Sequence, residues 1–139
     1  MDTNVHTKTR RFIRLSKAEC LDLLQHGGIG RIAFANGPTP VIFPVNFALD
    51  RHSIVLRTAA STMINELRDG EGVAFETDSA DLTAGLGWSV LATGRIERIV
   101  DPGVLAEYEA HEPFATFAPG QRDRWFRIIP ARITGRRVV

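Results

Sequence analysis

One cysteine, Cys20, stands in 139 residues, so no internal disulfide can staple the chain. Its place in a predicted helix suits a small buried side chain rather than a nucleophile. No Cys/His group has zinc-site spacing, and no metal is expected. Long apolar runs are absent as well: nothing approaches the ~18 residues of a spanning helix, and residues 1–9 lack an apolar signal core. The expectation is a cytoplasmic protein without a membrane partner. Charge of one sign is also missing, since 17 basic residues face 16 acidic ones for a net charge of +1. Without the strong basic excess of a typical nucleic-acid binder, DNA and RNA are not expected partners. No internal repeat, Ser-His-Asp or Cys-His arrangement, or carboxylate pair of defined geometry emerges, so no catalytic residue is assigned.

What is present is a globular composition, 44% hydrophobic and 24% charged, at a length that fits one domain with one core. Residues 1–9 are polar and unpatterned, a flexible tail ahead of a domain at 10–139. A short strand at 11–15 leads to a helix opened by Ser16-Lys-Ala-Glu19, which has capping-box spacing, and stopped by Gly27-Gly28. Strands follow at 29–35, 41–47 and 54–58, then a helix at about 62–69, a strand at 73–77, a loop at 78–87 and a long strand at 88–99. Asp101-Pro102 reads as an N-cap and first-turn proline of a helix reaching about His111, and after a loop at 113–120 a last strand runs 124–133. Pro44 interrupts the 41–47 strand. Because it cannot donate to a ladder, it marks an edge, a bulge or a place where the sheet opens towards a ligand. Six or seven mostly antiparallel strands with short helices predict a mainly β fold, a closed or split antiparallel barrel.

The segment Ile54-Val-Leu-Arg-Thr-Ala-Ala-Ser-Thr-Met-Ile-Asn-Glu-Leu67 carries the clearest chemical signal. Arg57 and Thr58 end a strand, and Ser61 and Thr62 stand at a helix start. Guanidinium hydrogens, hydroxyls and the unpaired N–H groups of a first helical turn all favour a bound anion, most often phosphate. The same pattern equally serves a solvated strand end followed by an ordinary N-cap.

The order of these elements resembles the flavin-binding split-barrel proteins related to pyridoxamine 5′-phosphate oxidase, in particular a small bacterial branch that includes nitroimidazole-resistance-like proteins. The resemblance covers roughly residues 12–137. It is carried by Gly30-Arg-Ile-Ala-Phe34, Pro44-Val-Asn-Phe47, Ile54-Val-Leu-Arg-Thr58, Val73-Ala-Phe-Glu76, Gly87-Trp-Ser-Val-Leu91 and Arg127-Ile-Ile-Pro-Ala-Arg-Ile-Thr-Gly-Arg-Arg137. It implies a homodimer with FMN in a cleft between two barrels. Arg57, Thr58, Ser61 and Thr62 would take the phosphate, while Pro44, Val45 and Asn46 would line the ring. Trp88 and Ser89 would reach the cofactor across the dimer, with Trp125 and Arg127 as further candidates. Relatives usually carry a lysine near Met63, so Arg57 would be nearly the sole cation, and a deazaflavin or haem are alternative cofactors. The implied activity is flavin-dependent oxidation or reduction of a small molecule. A non-catalytic binding or storage module, or an empty scaffold barrel, are the alternatives.

Overall fold

The computed structural model describes residues 10–110 and 123–139. Seven strands form one antiparallel sheet: β1 (Phe12–Leu15), β2 (Gly28–Asn36), β3 (Thr39–Asp50), β4 (Ser53–Thr58), β5 (Gly72–Asp81), β6 (Leu86–Arg98) and β7 (Arg124–Val138). Their order is β1-β7-β4-β3-β2-β5-β6, and β6 also pairs with β7, so the sheet closes on itself as a barrel. β7 is the closing element. One of its edges pairs with β6 along most of its length, and the other is shared, with Ile128 and earlier residues against β4 and Gly135 onwards against β1. Residues 129–134 on that second edge face neither strand, and this is where the barrel is split.

Side chains alternate across each strand. Ile32, Phe34, Val45, Phe47, Ile54, Leu56, Phe75, Val90, Ile96, Phe126 and Ile128 fill the interior. The helix α1 (Lys17–Leu24) adds buried Cys20 and Leu24 to that core, and burial pushes the Cys20 thiol up, as befits an inert packing residue. Its capping box forms as expected, with Glu19 N–H donating to Ser16 Oγ and Ser16 N–H to Glu19 Oε1. A second, smaller core lies outside the barrel, where α2 (Pro102–Ala110) lays Val104, Leu105 and Tyr108 on Ala48, Val55 and Trp125. Asp101 caps α2 by accepting from the Gly103 and Val104 N–H groups.

The structure departs from the sequence expectation in four places. β3 runs unbroken through Pro44, which pairs with Arg31 of β2; β4 joins β3 only from Asn46 onwards, so the missing proline donor is tolerated where that strand has no β4 neighbour. The expected 78–87 loop is mostly ladder, because β5 and β6 continue to Asp81 and Leu86 around a tight turn in which Asp81 accepts from the Thr83 and Ala84 N–H groups. The last strand extends to Val138, its residues from Gly135 onwards held between β6 and β1. The helix expected at 62–69 is a single 3-10 turn, Met63–Glu66. The expected helix end at His111 and the 113–120 loop lie outside the described residues.

Tyr108, the only tyrosine, donates its phenol hydrogen to Asp50 beneath α2. Burial, then that hydrogen bond, push its pKa up to about 12. The raised value favours the neutral phenol, so its contribution to stability is complete below the ordinary value of about 10 and is lost as the pH rises through about 12. Phenolate absorbance of the native protein should therefore rise with a midpoint near 12, moving to about 10 in denaturant. A native midpoint near 10 would mean that α2 does not enclose the ring.

Candidate functional site

Asn46 of β3, Arg57 of β4 and Trp125 of β7 are register neighbours on the outer face of the barrel. Trp125 is buried under α2, and the Arg57 guanidinium lies over its ring at 4.8 Å from the centroid. A cation braced on an aromatic face has lost much of its rotamer freedom before any ligand arrives. Beside it, β3 at Pro44 and Val45 has no β4 neighbour. The Val45 side chain points into the core, so only its backbone is available to a ligand there.

The loop after β4 is organised by a residue that sequence reasoning missed. Asn65 Nδ2 donates to the carbonyls of Ala59, Ala60 and Thr62 at 2.9, 3.1 and 3.1 Å and to Thr62 Oγ1 at 3.2 Å. Thr62 Oγ1 donates to the Ala59 carbonyl and lies 3.1 Å from the buried Thr58 hydroxyl. Thr58 and Thr62 are therefore engaged inside the loop, while Ser61 is exposed on it. The expected N-cap at Ser61 is corrected: Thr62 occupies the cap position and makes no side-chain cap bond. An asparagine amide that gathers three carbonyls competes with helix formation, which explains the short 3-10 turn. Four residues give little macrodipole, so an anion here would rely on Arg57, Ser61 and local N–H groups. Met63 is half-buried against the barrel core, which accounts for a thioether at this position.

Trp88 and Ser89 stand elsewhere on the molecule. Trp88 is half-buried against the core and pairs with Arg137, whereas Arg57 pairs with Trp125. Those β7 partners are about 40 Å apart along the strand at its usual rise per residue. One copy of the chain thus does not bring Trp88 to Arg57. Arg127 is held by Glu97 at 3.5 Å on the outer face. The remaining pronounced polar constellation is Arg31, whose guanidinium reaches Glu76 at 2.6 Å and Asp78 at 3.0 Å. Burial, then the Asp78 carboxyl, push Glu76 up, and the pairing keeps Arg31 charged. The Glu76-x-Asp78 spacing puts both carboxylates on one strand face, but only the β2–β5 register supplies Arg31. Among the described residues, no group of His, Cys, Asp and Glu could hold a metal, and no helix is long and apolar enough to cross a membrane.

A small antiparallel barrel split along its closing strand, with a braced arginine beside an open strand edge, defines the split-barrel class of ligand-binding proteins. The family model for pyridoxamine 5′-phosphate oxidase matches residues 16–137, and the chain belongs to that family. It is 35% identical to the FAD binding protein from Mycobacterium smegmatis, covering 89% of this chain and 96% of that one at a TM-score of 0.74. A putative pyridoxamine 5′-phosphate oxidase from Corynebacterium glutamicum is 30% identical, with 91% and 92% coverage and a TM-score of 0.77. An uncharacterized protein of Mycobacterium tuberculosis is 31% identical over 94% of this chain and 88% of its own length.

Proposed function

We propose that this chain is a flavin-binding oxidoreductase that works as a homodimer, with Arg57 holding the flavin phosphate. The observation that supports this most is the Arg57 guanidinium fixed over Trp125, next to Asn46 and to the uncovered edge of β3. The residues present fit an FMN group: Arg57 and Ser61 supply donors to phosphate, and the Asn46 amide with the Pro44 and Val45 backbone supplies partners for a flat polar ring. Similarity to a FAD binding protein favours a flavin over a deazaflavin or haem. When bound, the isoalloxazine supplies hydride or electron transfer, for which no protein acid–base pair is required. The chain's own contribution is to fix the phosphate, orient the ring edge and exclude water from one of its faces. The substrate is a small organic molecule on the other face.

Trp88 and Ser89 of β6 pair near the opposite end of β7 from the Trp125 that pairs with Arg57, so in this reading a second copy brings them to the same ligand. Co-expressing an Arg57→Ala chain with a Trp88→Ala chain tests this. Each variant homodimer carries two damaged sites, but a mixed dimer regenerates one intact site. Flavin should return in mixed dimers purified through two different tags. Mixed dimers that bind no flavin would place Arg57 and Trp88 at different sites. An absorbance spectrum of the purified protein, with bands near ~370 and ~450 nm, reports flavin itself.

Lysine in place of Met63 should add a second cation beside the phosphate. Its stem can lie on the core surface that Met63 covers while the ammonium reaches outwards. One further charge-assisted contact is expected to tighten FMN about tenfold, with riboflavin unaffected, in calorimetric titrations. Equal gains for both ligands would mean that the lysine acts on the ring or on the fold.

A further inference from the structure

The outer core beneath α2 ends on the same tryptophan that braces Arg57. Tyr108 is the buried residue of α2, while Val104 and Leu105 beside it are only partly covered, so the phenol is the helix's deepest anchor on the barrel. Its ring lies 5.7 Å from that of Trp125, tilted by 33°. Its hydroxyl donates to Asp50, the last residue of β3, which stands opposite Ser53 across a two-residue turn. Arg57 is four residues beyond Ser53 on β4, about 13 Å away at the usual rise of a strand, too far for Asp50 to hold the guanidinium directly. A run of contacts joins them instead: Asp50 fixes the phenol, the phenol ring lies against Trp125, and Trp125 carries the Arg57 guanidinium at 4.8 Å from its centroid.

We propose that Tyr108 is a positioning residue for Arg57: bonded to Asp50, it seats α2 on Trp125 and so fixes the ring on which the guanidinium rests. The phenol acts through Trp125 rather than on a ligand. An arginine on a fixed aromatic face arrives at an anion already ordered, whereas one on a loosened ring has rotamer freedom still to lose. That difference is worth about twofold to tenfold in affinity for one side chain. The role rests on Arg57 being the cation for the flavin phosphate, and it brings into the site a helix and a hairpin that no ligand need touch. Removing the Tyr108 hydroxyl alone keeps the ring but releases its hold on β3.

The test compares Tyr108→Phe, Asp50→Ala and Asp50→Asn with the parent by two readouts. The first needs no ligand: the Arg57 Nε–H resonance, assigned by its loss in Arg57→Ala, is displaced in the parent by the Trp125 ring current. In Tyr108→Phe and Asp50→Ala it should move back towards the position of exposed arginines. The second is calorimetric titration, in which FMN should weaken about fivefold in those two variants while riboflavin binds every protein alike. Asp50→Asn loses the charge but keeps an acceptor for the phenol, and should match the parent in both readouts. The double variant Asp50→Ala/Tyr108→Phe should bind FMN no more weakly than either single one, since both remove the same contact. An Arg57 resonance that stays in place in Tyr108→Phe and Asp50→Ala overturns the proposal, even where their melting temperatures fall. A resonance that moves while FMN affinity is unchanged, or while the parent takes no FMN, upholds the positioning of Arg57 and removes the phosphate from it.

Discussion

Arg57→Ala should abolish measurable FMN binding. The guanidinium is the principal cation at the proposed phosphate position, since Met63 offers no charge and the short turn after β4 offers little dipole. Truncating one partner of a charge-assisted, partly desolvated contact costs on the order of 2–5 kcal/mol, or roughly 30- to 5,000-fold in affinity. Riboflavin separates phosphate recognition from ring recognition, because it lacks the phosphate and should bind parent and variant about equally. Arg57 also covers Trp125, so a thermal melt must accompany the titration. A variant that melts as the parent does and still binds FMN at parental affinity would move the phosphate away from Arg57.

Gly94→Ala should be the most damaging one-carbon change in the barrel wall. A Cβ at position 94 would lie 2.1 Å from the Ile129 carbonyl oxygen and 2.9 Å from Pro130 Cα, both backbone atoms that cannot rotate away. The register between β6 and β7 shifts between Thr93 and Gly94, so glycine sits at the irregularity through which the barrel closes. Overpacking of this kind costs on the order of 3 kcal/mol, which lowers the melting temperature of a domain this size by roughly 10 °C. Gly72→Ala is the control, because the nearest atom to its Cβ would be 4.0 Å away. Equal melting temperatures for the two variants would show that the seam yields to a methyl group without strain.

Features set by neighbouring residues were legible in the sequence. The Ser16 capping box and the Asp101 cap depend on side chains a few positions apart, and each forms where its residues place it. The barrel class followed from the count and length of the strands, and the family resemblance from their order. The helix at 62–69 failed for a reason that periodicity does not carry: a single Asn65 amide gathers the preceding carbonyls and leaves one turn. Thr58 and Thr62 were legible as polar residues near an arginine, but strand alternation turns Thr58 inward, and its hydroxyl pairs with that of Thr62. The Arg31–Glu76–Asp78 cluster and the opposed Arg14 and Arg136 arise from register between distant strands. No local pattern specifies such a register.

The position of β7 in the chain also bears on how the protein is made. A nascent chain that stops short of Arg124 holds β2 to β6 as a curved open sheet, with the outer edges of β4 and β6 unpaired and β1 without its partner. Phe126 and Ile128, which seal the interior, have not yet been synthesised at that stage. The barrel therefore cannot close during most of translation, and closure then depends on contacts of long sequence separation, the slowest kind to form. Until that moment the exposed edges can recruit other chains. Yield in a cell should accordingly be limited by the time spent waiting for one strand.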